Sequence, residues 1–459
     1  MKSNIRKIYF LNGSILKLIK PIWYHSIFTK NSNNIWINYL DIDEKFTEKL
    51  NICDKYSTIE MTFLDASYQL IQNGYVDNNI DTKNISINFN NCEKQFSIED
   101  QYLFIRRMFK PFWVYYAIFL RIIFLKVRIN DFLSIIHTRK VLPLQLNNNI
   151  EYDDYGLYKS DLIKQKPLIS IILPTLNRYE NLQKVIEDLE KQTYKNFELI
   201  IIDQSEPFRS DVYNSLGFKV KVLRQKDKAL WKARNLGLRK SKGNFFLFLD
   251  DDSKLNSNWI YEHIKCIDYF NADISAGISI SKIGAPTPYN YKYFRLADQL
   301  DTGNVLIKKR VFEKCGLFDL QFEKMRMGDA EFGLRAKLNG FKSINNPLSK
   351  RIHYKAKTGG LREIGSWDGL RPKNFLKTRP IPSVLYFYRN YWSDDNAFYF
   401  LIQTIPFSLS PYTLKGRFKG NILSFILFIY FSPIVLIQVV RSWFISSEMI
   451  KKGSKIENY

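Results

Sequence analysis

From Pro167 onward, the sequence alternates short apolar runs with amphipathic segments, and this alternation constrains the fold more than any other feature. The runs are continuous and rich in β-branched and aromatic residues, which is typical of strands buried on both faces. The intervening segments place apolar residues three and four apart, the spacing of one helical face. The strand-like runs are 168–173, 197–202, 219–223 and 245–249, and the helical segments are 180–192 and 230–240.

This order predicts an α/β domain with a parallel sheet and helices on both sides. In such sheets, ligands bind beyond the carboxyl ends of the strands. The run 245–249 ends there in Asp250, Asp251 and Asp252. Three adjacent carboxylates repel one another unless a cation or several donors offset their charge. Asp250 and Asp252 point to the same side of an extended chain and suit Mg²⁺ or Mn²⁺. A solvated acidic turn, or a cap for the helix near Trp259, remains an alternative.

Four segments in order resemble those of family 2 glycosyltransferases with the GT-A fold. They are PLISIILPTLNRYENLQKVIEDLEKQTYKNFELIIIDQS, KALWKARNLGLRKSKGNFFLFLDDD, DTGNVLIKKRVFEKCGLFD and MGDAEFGLRAKLNGFK, within residues 167–354. The resemblance implies a Rossmann-like nucleotide-diphospho-sugar transferase core. It also implies that Asp250 and Asp252 form the family's Asp-x-Asp pair, which holds the donor diphosphate through Mn²⁺ or Mg²⁺, with Asp251 beside them.

The resemblance further implies that Asp329 is the general base of a single displacement with inversion. The alternative is that Asp329 only caps the helix that follows. This chain has Gly328 where many relatives carry a second acid. Glu331 is expected either to meet the acceptor or to face solvent, and Trp231 is a further acceptor candidate.

The same resemblance assigns the donor nucleotide to residues after the first two strands and on the following helix. A pyrimidine base is favoured, as in UDP- or dTDP-sugars, and guanosine stays open. His353 is either a third metal ligand or structural, and 359–362 is a basic, glycine-containing stretch able to close over a diphosphate. We expect His25, His137 and His263 to be structural. The donor-binding candidates are Pro174, Thr175, Asn177, Arg178, Asp203, Gln204, Arg234, Asn235, Asp250 and Asp251.

The chain carries 68 Lys and Arg against 45 Asp and Glu, a net charge of +23 that attracts polyanions such as nucleic acid, anionic lipid or diphosphates. Its four cysteines form no metal-binding or disulfide pattern, which favours a reducing compartment. Residues 1–23 lack the pattern of a secretory signal.

Residues 420–440 are 21 residues without charge, long enough to cover about 30 Å as a helix despite Pro433. A full span, a re-entrant or in-plane pair of helices and a hairpin packed on the catalytic domain all remain open. Basic residues on both sides leave the orientation open. The stretch 396–414 contains two prolines and suits a straight span poorly, and 111–125 is better explained as a buried or interfacial helix.

The sequence therefore predicts a domain of unknown role, mixed or mainly helical, at 1–150 and a linker at 151–166. It further predicts a GT-A domain at 167–360, a basic and aromatic connection at 361–395 and a membrane-associated helical tail at 396–459. The leading hypothesis is an inverting, metal-dependent glycosyltransferase at the cytoplasmic face of a bacterial inner membrane, acting on a glycan or lipid-linked acceptor. No nucleic-acid partner is expected. The alternatives are a basic nucleic-acid-binding protein and a non-catalytic GT-A scaffold.

Overall fold

The structure is a computed structural model that divides into two compact units. We call Arg6–Glu151 with Tyr391–Phe400 the helical unit, and Tyr152–Asn390 with Leu401–Tyr459 the core unit. The described residues are 15–18, 39–76, 96–146, 149–213, 217–281, 287–297, 300–354, 368–372, 374–415 and 417–459. His25, the stretch 359–362 and most of residues 1–23, about which the sequence made predictions, lie outside them.

The described part of the helical unit consists of helices and connecting segments, without strands. Ser97 caps the third helix by accepting a hydrogen bond from the Asp100 N–H, and the Arg107 guanidinium forms a buried 2.7 Å ion pair with Asp65. The helices are α1 (Glu44–Thr47), α2 (Ile59–Gln72), α3 (Ile98–Met108), α4 (Phe112–Ile123) and α5 (Ile129–Thr138).

The core unit is built on a nine-stranded sheet with the order β3-β2-β1-β4-β8-β6-β9-β5, in which β7 pairs with β9. Strands β1 to β4 run parallel, as predicted, but β8 runs antiparallel to both β4 and β6. The parallel arrangement predicted for the first four strands is confirmed, and β8, for which the sequence made no prediction of direction, makes the sheet mixed. The strands are β1 (Ile169–Thr175), β2 (Phe197–Asp203), β3 (Val220–Arg224), β4 (Phe245–Leu249), β5 (Ser253–Leu255), β6 (Ile274–Ser281), β7 (Arg295–Leu296), β8 (Asn304–Lys308) and β9 (Ser343–His353).

Helices cover both faces of this sheet, as the sequence predicts. Ile169, Ile171 and Leu173 of β1 join a buried cluster with apolar residues of α7 and α9 on one face. On the other face, α8 approaches closely at Gly237, where an added Cβ would lie 2.6 Å from Ile172 Cγ2. The remaining helices of the described chain are α6 (Asp161–Lys164), α7 (Tyr179–Glu190), α8 (Leu230–Lys240), α9 (Trp259–Tyr269), α10 (Lys309–Cys315), α11 (Gly328–Leu338), α12 (Pro382–Tyr391), α13 (Asp394–Thr404), whose residues up to Phe400 belong to the helical unit, and α14 (Phe418–Lys452).

Residues 152–166, predicted as a linker, belong to the core unit and are held on α9. The Tyr155 hydroxyl donates to Glu262 at 3.1 Å, and the Ser160 hydroxyl donates to Asp268 at 2.6 Å.

The second apolar stretch, 420–440, lies within α14, a single helix of 35 residues that continues through Pro433. Among the described helices it is the one long and apolar enough to cross a membrane, and 17% of its most apolar window is buried. The first stretch, 396–414, breaks after α13 into short turns, as its prolines predict.

Candidate active site at the carboxyl edge of the sheet

Strand register brings the predicted site residues to one edge of the sheet. Thr175 at the end of β1 is in register with Asp203 at the end of β2, and β4 runs beside β1 into Asp250. The strand β1 continues through Pro174 to Thr175, so Pro174 lies within the strand and not in the loop after it.

Asp252 and His353 meet because β5 pairs with β9. Ser253 is in register with His353, and the Tyr354 N–H donates to the Asp252 carbonyl at 2.9 Å. The Asp252 Oδ1 atom lies 3.1 Å from His353 Nε2. One donor atom each from Asp250, Asp252 and His353 lies within 4.8 Å of the others. The three residues predicted as metal ligands are thus brought together.

Asp250 is clamped between two guanidinium groups. Arg234 Nη2 contacts its Oδ1 atom at 3.0 Å, and Arg351 Nη1 contacts its Oδ2 atom at 3.0 Å. Arg351 is almost fully buried and also pairs with Asp301 at 3.0 Å. A Cβ atom at Gly303 would collide with both Asp250 and Arg351, so this clamp requires glycine there. Sequence analysis missed Arg351, Asp301 and Gly303.

Asp251 lies outside this clamp and contacts the end of β1 and the loop that follows it. It accepts hydrogen bonds from the Thr175 hydroxyl at 2.8 Å and from Arg178 at 2.9 Å. Burial raises the pKa of Asp251 to about 6, and the neighbouring Asp252 adds to this effect. Arg178 also lies 3.3 Å from Asp252. The predicted donor residues Thr175 and Arg178 therefore hold the aspartates in place.

The charges around the cluster fit a divalent cation. The five carboxylates of Asp250, Asp251, Asp252, Asp301 and Asp329 interact with the four guanidiniums of Arg178, Arg234, Arg326 and Arg351, so acidic groups outnumber basic ones. Burial disfavours the ionised form of Asp252, but the His353 hydrogen bond and nearby arginines outweigh it and lower the pKa of Asp252 below its ordinary value. Two ionised carboxylates and an imidazole are ligands that suit Mn²⁺.

Asp329 lies in the first turn of α11, next to the residue that begins the helix. The N-cap is Met327, at φ 81°, so the alternative in which Asp329 is the cap is wrong. The Oδ1 atom of Asp329 accepts a hydrogen bond from the Ala330 N–H at 2.9 Å. Burial, followed by repulsion from Asp301, raises the pKa of Asp329 to about 6. A carboxylate with this pKa is ionised at neutral pH and still basic enough to accept a proton.

Gly328 explains why this chain lacks the second acid found in many relatives. A Cβ atom at Gly328 would collide with the Trp231 ring. The Trp231 indole N–H donates to the Phe322 carbonyl at 3.1 Å, and Trp231 is buried. Trp231 therefore packs against the start of α11, and its predicted contact with the acceptor stays a prediction.

The structure corrects the alternative in which Glu331 faces solvent, and its contact with the acceptor stays a prediction. Glu331 is buried and forms a two-point ion pair with Arg335, at 2.7 and 2.9 Å, one helical turn away. Arg335 also donates to the carbonyls of Cys315 and Leu317. The pair anchors α11 to the loop after α10.

Three residues that were predicted to contact the nucleotide form hydrogen bonds with other residues of the chain. Asp203 accepts hydrogen bonds from the Tyr179 and Tyr213 hydroxyls, both at 2.8 Å. Gln204 accepts one from the Ala229 N–H at 2.6 Å, at the start of α8. The Asn235 side chain accepts a hydrogen bond from the Phe318 N–H and donates one to the Phe318 carbonyl, both at 3.0 Å. These three side chains shape the loops around the site.

Other predicted residues have simpler environments. Asn177 adopts a left-handed conformation with φ 54°, and its N–H donates to the Ser205 hydroxyl at 2.8 Å. His263 is buried between Ser275 at 2.9 Å and Asn304 at 3.1 Å, which confirms a structural role. His137 is exposed, 3.3 Å from Glu99.

Comparison with known proteins identifies the family. The protein family described as Glycosyl transferase family 2 matches residues 170–327 of this chain. An uncharacterized glycosyltransferase of Haemophilus influenzae is 36% identical over 116 residues, 22% of this chain and 40% of that protein. The glycosyltransferase GlyA of Streptococcus pneumoniae is 24% identical over 166 residues, 35% of this chain and 22% of that protein. This chain thus spans less than half the length of either relative.

Among solved structures, the mannosyltransferase PcManGT of Pyrobaculum calidifontis, in complex with GDP-Man and Mn²⁺, has a TM-score of 0.40 and 11% identity. The match covers 60% of this chain and 80% of that one. The mixed α/β sheet, its helices on both faces and the aspartates at its carboxyl edge have the GT-A arrangement implied by the sequence. Residues 170–327 of this chain therefore match glycosyltransferase family 2, and the relatives similar to it are glycosyltransferases.

Proposed function

We propose that the protein transfers a sugar from a nucleotide-diphosphate sugar to a hydroxyl group, with inversion at the anomeric carbon. The observation that carries this proposal is the cluster of Asp250, Asp252 and His353, which shares its neighbour Arg234 with Asp329. Asp250, Asp252 and His353 can hold the metal ion that binds the donor diphosphate. The nearby Asp329 carboxylate can act as the base.

In the proposed step, the acceptor oxygen forms a bond to the anomeric carbon as the bond from that carbon to the diphosphate oxygen breaks. The acceptor proton goes to Asp329, and the electron pair of the broken bond goes to the diphosphate. A divalent ion held by Asp250, Asp252 and His353 would supply positive charge to this leaving group. Arg234 and Arg351 fix the direction of the Asp250 carboxylate, and Arg178 fixes Asp251 and Asp252.

We propose a UDP- or dTDP-sugar as the donor and Mn²⁺ or Mg²⁺ as the ion. A screen of nucleotide sugars by thermal stabilisation, with and without Mn²⁺, tests this, because a ligand of the folded state raises the melting temperature. We expect stabilisation by a pyrimidine nucleotide sugar that depends on Mn²⁺, followed by release of the nucleoside diphosphate in the presence of acceptor. Stabilisation of the same size with and without Mn²⁺ would contradict the proposed role of the ion.

We further propose that α14 attaches the core unit to a membrane, at the cytoplasmic face of a bacterial inner membrane, where a glycan or lipid-linked acceptor would be met. Its buried face is small or polar and is bonded to the core unit: Ser442 donates to the Pro380 carbonyl at 2.7 Å, and Ser446 accepts from Arg389 at 2.8 Å. Its other face exposes large apolar residues, among them Ile426, Ile429 and Ile437.

Because one face of α14 stays bonded to the core unit, this arrangement favours a helix lying in the membrane surface over one that crosses it. Salt screens charge but leaves apolar insertion intact. We therefore expect membrane fractions to keep the full-length protein through a high-salt wash. After the same wash, less of the variant Ile426→Glu, Ile429→Glu than of the parent protein should stay with the membrane, and release of the parent protein by salt alone would contradict the apolar attachment.

A further inference from the structure

The helix α5 of the helical unit turns its polar side inward and its apolar side outward. Asp131, Ser134 and Thr138 are its buried residues. Ile129, Phe132, Leu133 and Ile136, spaced along one helical face, are between 44% and 70% exposed. A helix that contacts only water on its outer side normally has the opposite arrangement.

Hydrogen bonds hold α5 in this orientation. Asp131 forms a buried 2.7 Å ion pair with Arg121 and accepts from the Tyr102 hydroxyl at 3.0 Å. The Thr138 hydroxyl accepts from Arg106 at 2.9 Å. Rotating α5 to hide its apolar residues would break these bonds and leave buried charges unpaired, which is costly. The outward apolar face is therefore built into the fold of this unit.

The preceding helix, α4, also turns an apolar side outward. Phe112, Tyr115, Phe119 and Ile122 lie on one side of α4 and are between 46% and 57% exposed, whereas Val114, Ala117 and Leu120 on its other side are buried. We call the exposed apolar residues of α4 and α5 the apolar surface. Isolated exposed apolar residues are common, but eight large ones on two successive helices indicate an interaction site.

The charges around the apolar surface indicate its partner. Within residues 110–146 the exposed charged residues are all basic, and the sole acidic residue, Asp131, is buried. At 12 and 10 residues, α4 and α5 are too short to cross a membrane, whose core requires about 20. Aromatic, aliphatic and basic residues together are typical of helices that lie in a membrane surface. The exposed basic residues are Lys110, Lys126, Arg128, Arg139 and Lys140.

We propose that the apolar surface of α4 and α5 is a docking site for a bilayer containing anionic phospholipid. The apolar side chains enter the boundary between headgroups and acyl chains, and the basic residues contact the headgroup phosphates. This site is separate in the chain from α14 and does not depend on the transfer reaction, so its failure would leave the proposed function untouched.

A fluorophore on Ile136→Cys tests the site in the full-length protein. The described cysteines, Cys53, Cys266 and Cys315, are free and buried, and Cys92→Ser removes the fourth. The label at Asp54→Cys, an exposed position in the same unit, is the control. Vesicles contain either equal parts of phosphatidylglycerol and phosphatidylcholine or phosphatidylcholine alone. Iodide in the water and brominated acyl chains in the bilayer quench exposed and inserted labels respectively.

We expect anionic vesicles to protect the label at position 136 from iodide several-fold and to expose it to the brominated chains, while the label at position 54 stays accessible to iodide. The label reports only the surroundings of residue 136, even if another part of the chain also binds the vesicle. An iodide-accessible label at position 136 on vesicle-bound protein overturns the proposal. Protection that appears without vesicles and grows with protein concentration also overturns it, in favour of a second copy of the chain.

Substituting lysines tests the anionic part of the proposal. The variant Lys110→Gln, Lys126→Gln, Lys140→Gln should weaken insertion of the label by about fivefold per lysine, or roughly a hundredfold in all. The matched control replaces Lys45, Lys49 and Lys55, three exposed lysines elsewhere in the same unit, by Gln and should leave insertion unchanged. Equal losses in the two variants, or equal insertion into vesicles of phosphatidylcholine alone, would refute recognition of anionic lipid by this surface.

Discussion

The Asp329→Asn variant of the full-length protein is expected to lose transfer activity and to gain stability at pH 7. Asparagine has nearly the same shape as aspartate and keeps an oxygen that can accept the hydrogen bond from the Ala330 N–H, 2.9 Å from Asp329 Oδ1. The substitution removes the negative charge beside Asp301, one of the causes of the raised pKa of Asp329. The structure therefore separates the effect of this charge from the effect of side-chain shape.

The size of the stability gain follows from the pKa of Asp329, which burial raises from 3.8 to about 6. A difference of roughly 2 units corresponds to about 3 kcal/mol of destabilisation by the ionised group. The partial exposure of Asp329 and its favourable position at a helix N-terminus, about 0.5 kcal/mol, reduce this figure. We expect a net gain of about 2 kcal/mol, or roughly 2–3 °C in melting temperature for a protein of this length.

The sign of this effect depends on pH. The stability associated with protonated Asp329 is fully present below pH 3.8, the ordinary pKa, and is lost as the pH rises through about 6. The variant should therefore be more stable than the parent protein above pH 6, with no difference near pH 3. Denaturant titrations of both proteins across this range measure the difference directly.

Activity should change in the opposite direction. Loss of a general base lowers turnover by roughly 10² to 10⁴-fold, with donor and metal affinity almost unchanged. In the parent protein, the same pKa should make turnover fall about tenfold per pH unit below about pH 6. Asp161→Asn, at an exposed carboxylate of the same unit, is the control and should change neither property.

Two results would refute this reasoning. A folded Asp329→Asn protein with near-parental turnover would exclude Asp329 as the base. A variant that loses both activity and stability would show that Asp329 acts by holding the start of α11, and not through its charge.

Three further predictions concern the metal cluster and the core. Asp252→Asn should weaken Mn²⁺-dependent binding of the nucleoside diphosphate, measured by calorimetry, far more than binding of the free nucleoside, and equal losses would argue against a metal ligand. Gly303→Ala should weaken the same Mn²⁺-dependent binding, because its Cβ displaces Asp250, whereas Gly156→Ala, whose Cβ would meet only the Asp153 carbonyl oxygen at 3.9 Å, should not. Burial lowers the pKa of His263 to about 4. The protein should therefore lose up to about 3 kcal/mol of its free energy of unfolding as the pH falls from 6.5 toward 4, because the unfolded chain binds a proton at His263 more readily than the folded protein does. Denaturation of His263→Gln should show a smaller dependence on pH over this range, and an unchanged dependence would contradict this origin.

Much of the core unit could be predicted from sequence because the signals are local. The strands β1, β2 and β4 lie within two residues of the predicted runs, and the helices α7 and α8 follow the predicted segments. Residues at the carboxyl ends of parallel strands must share one edge of a sheet. This is why Asp250, Asp252 and Thr175 could be assigned to one site before the structure was known.

The details of the site required contacts between residues far apart in the chain. Arg351 clamps Asp250 from 101 positions away, and the pairing of β5 with β9 brings His353 to Asp252. No periodicity marks a buried arginine, since its position depends on which strands become neighbours. The same holds for Gly303, whose missing side chain matters only because Arg351 passes beside it.

The sequence by itself determined the strands β1 to β4, the helices α7 and α8, the residues that end the central strands and which helices have an apolar side. It did not determine the direction in which that side points, because an apolar stripe has the same spacing whether it faces a core or a membrane. Only the tertiary structure decided this for α5, where Asp131 and Thr138 find partners inside the fold, and for α14, where Ser442 and Ser446 do. Buried polar groups must be hydrogen-bonded, and these partners turn the apolar sides of both helices outward.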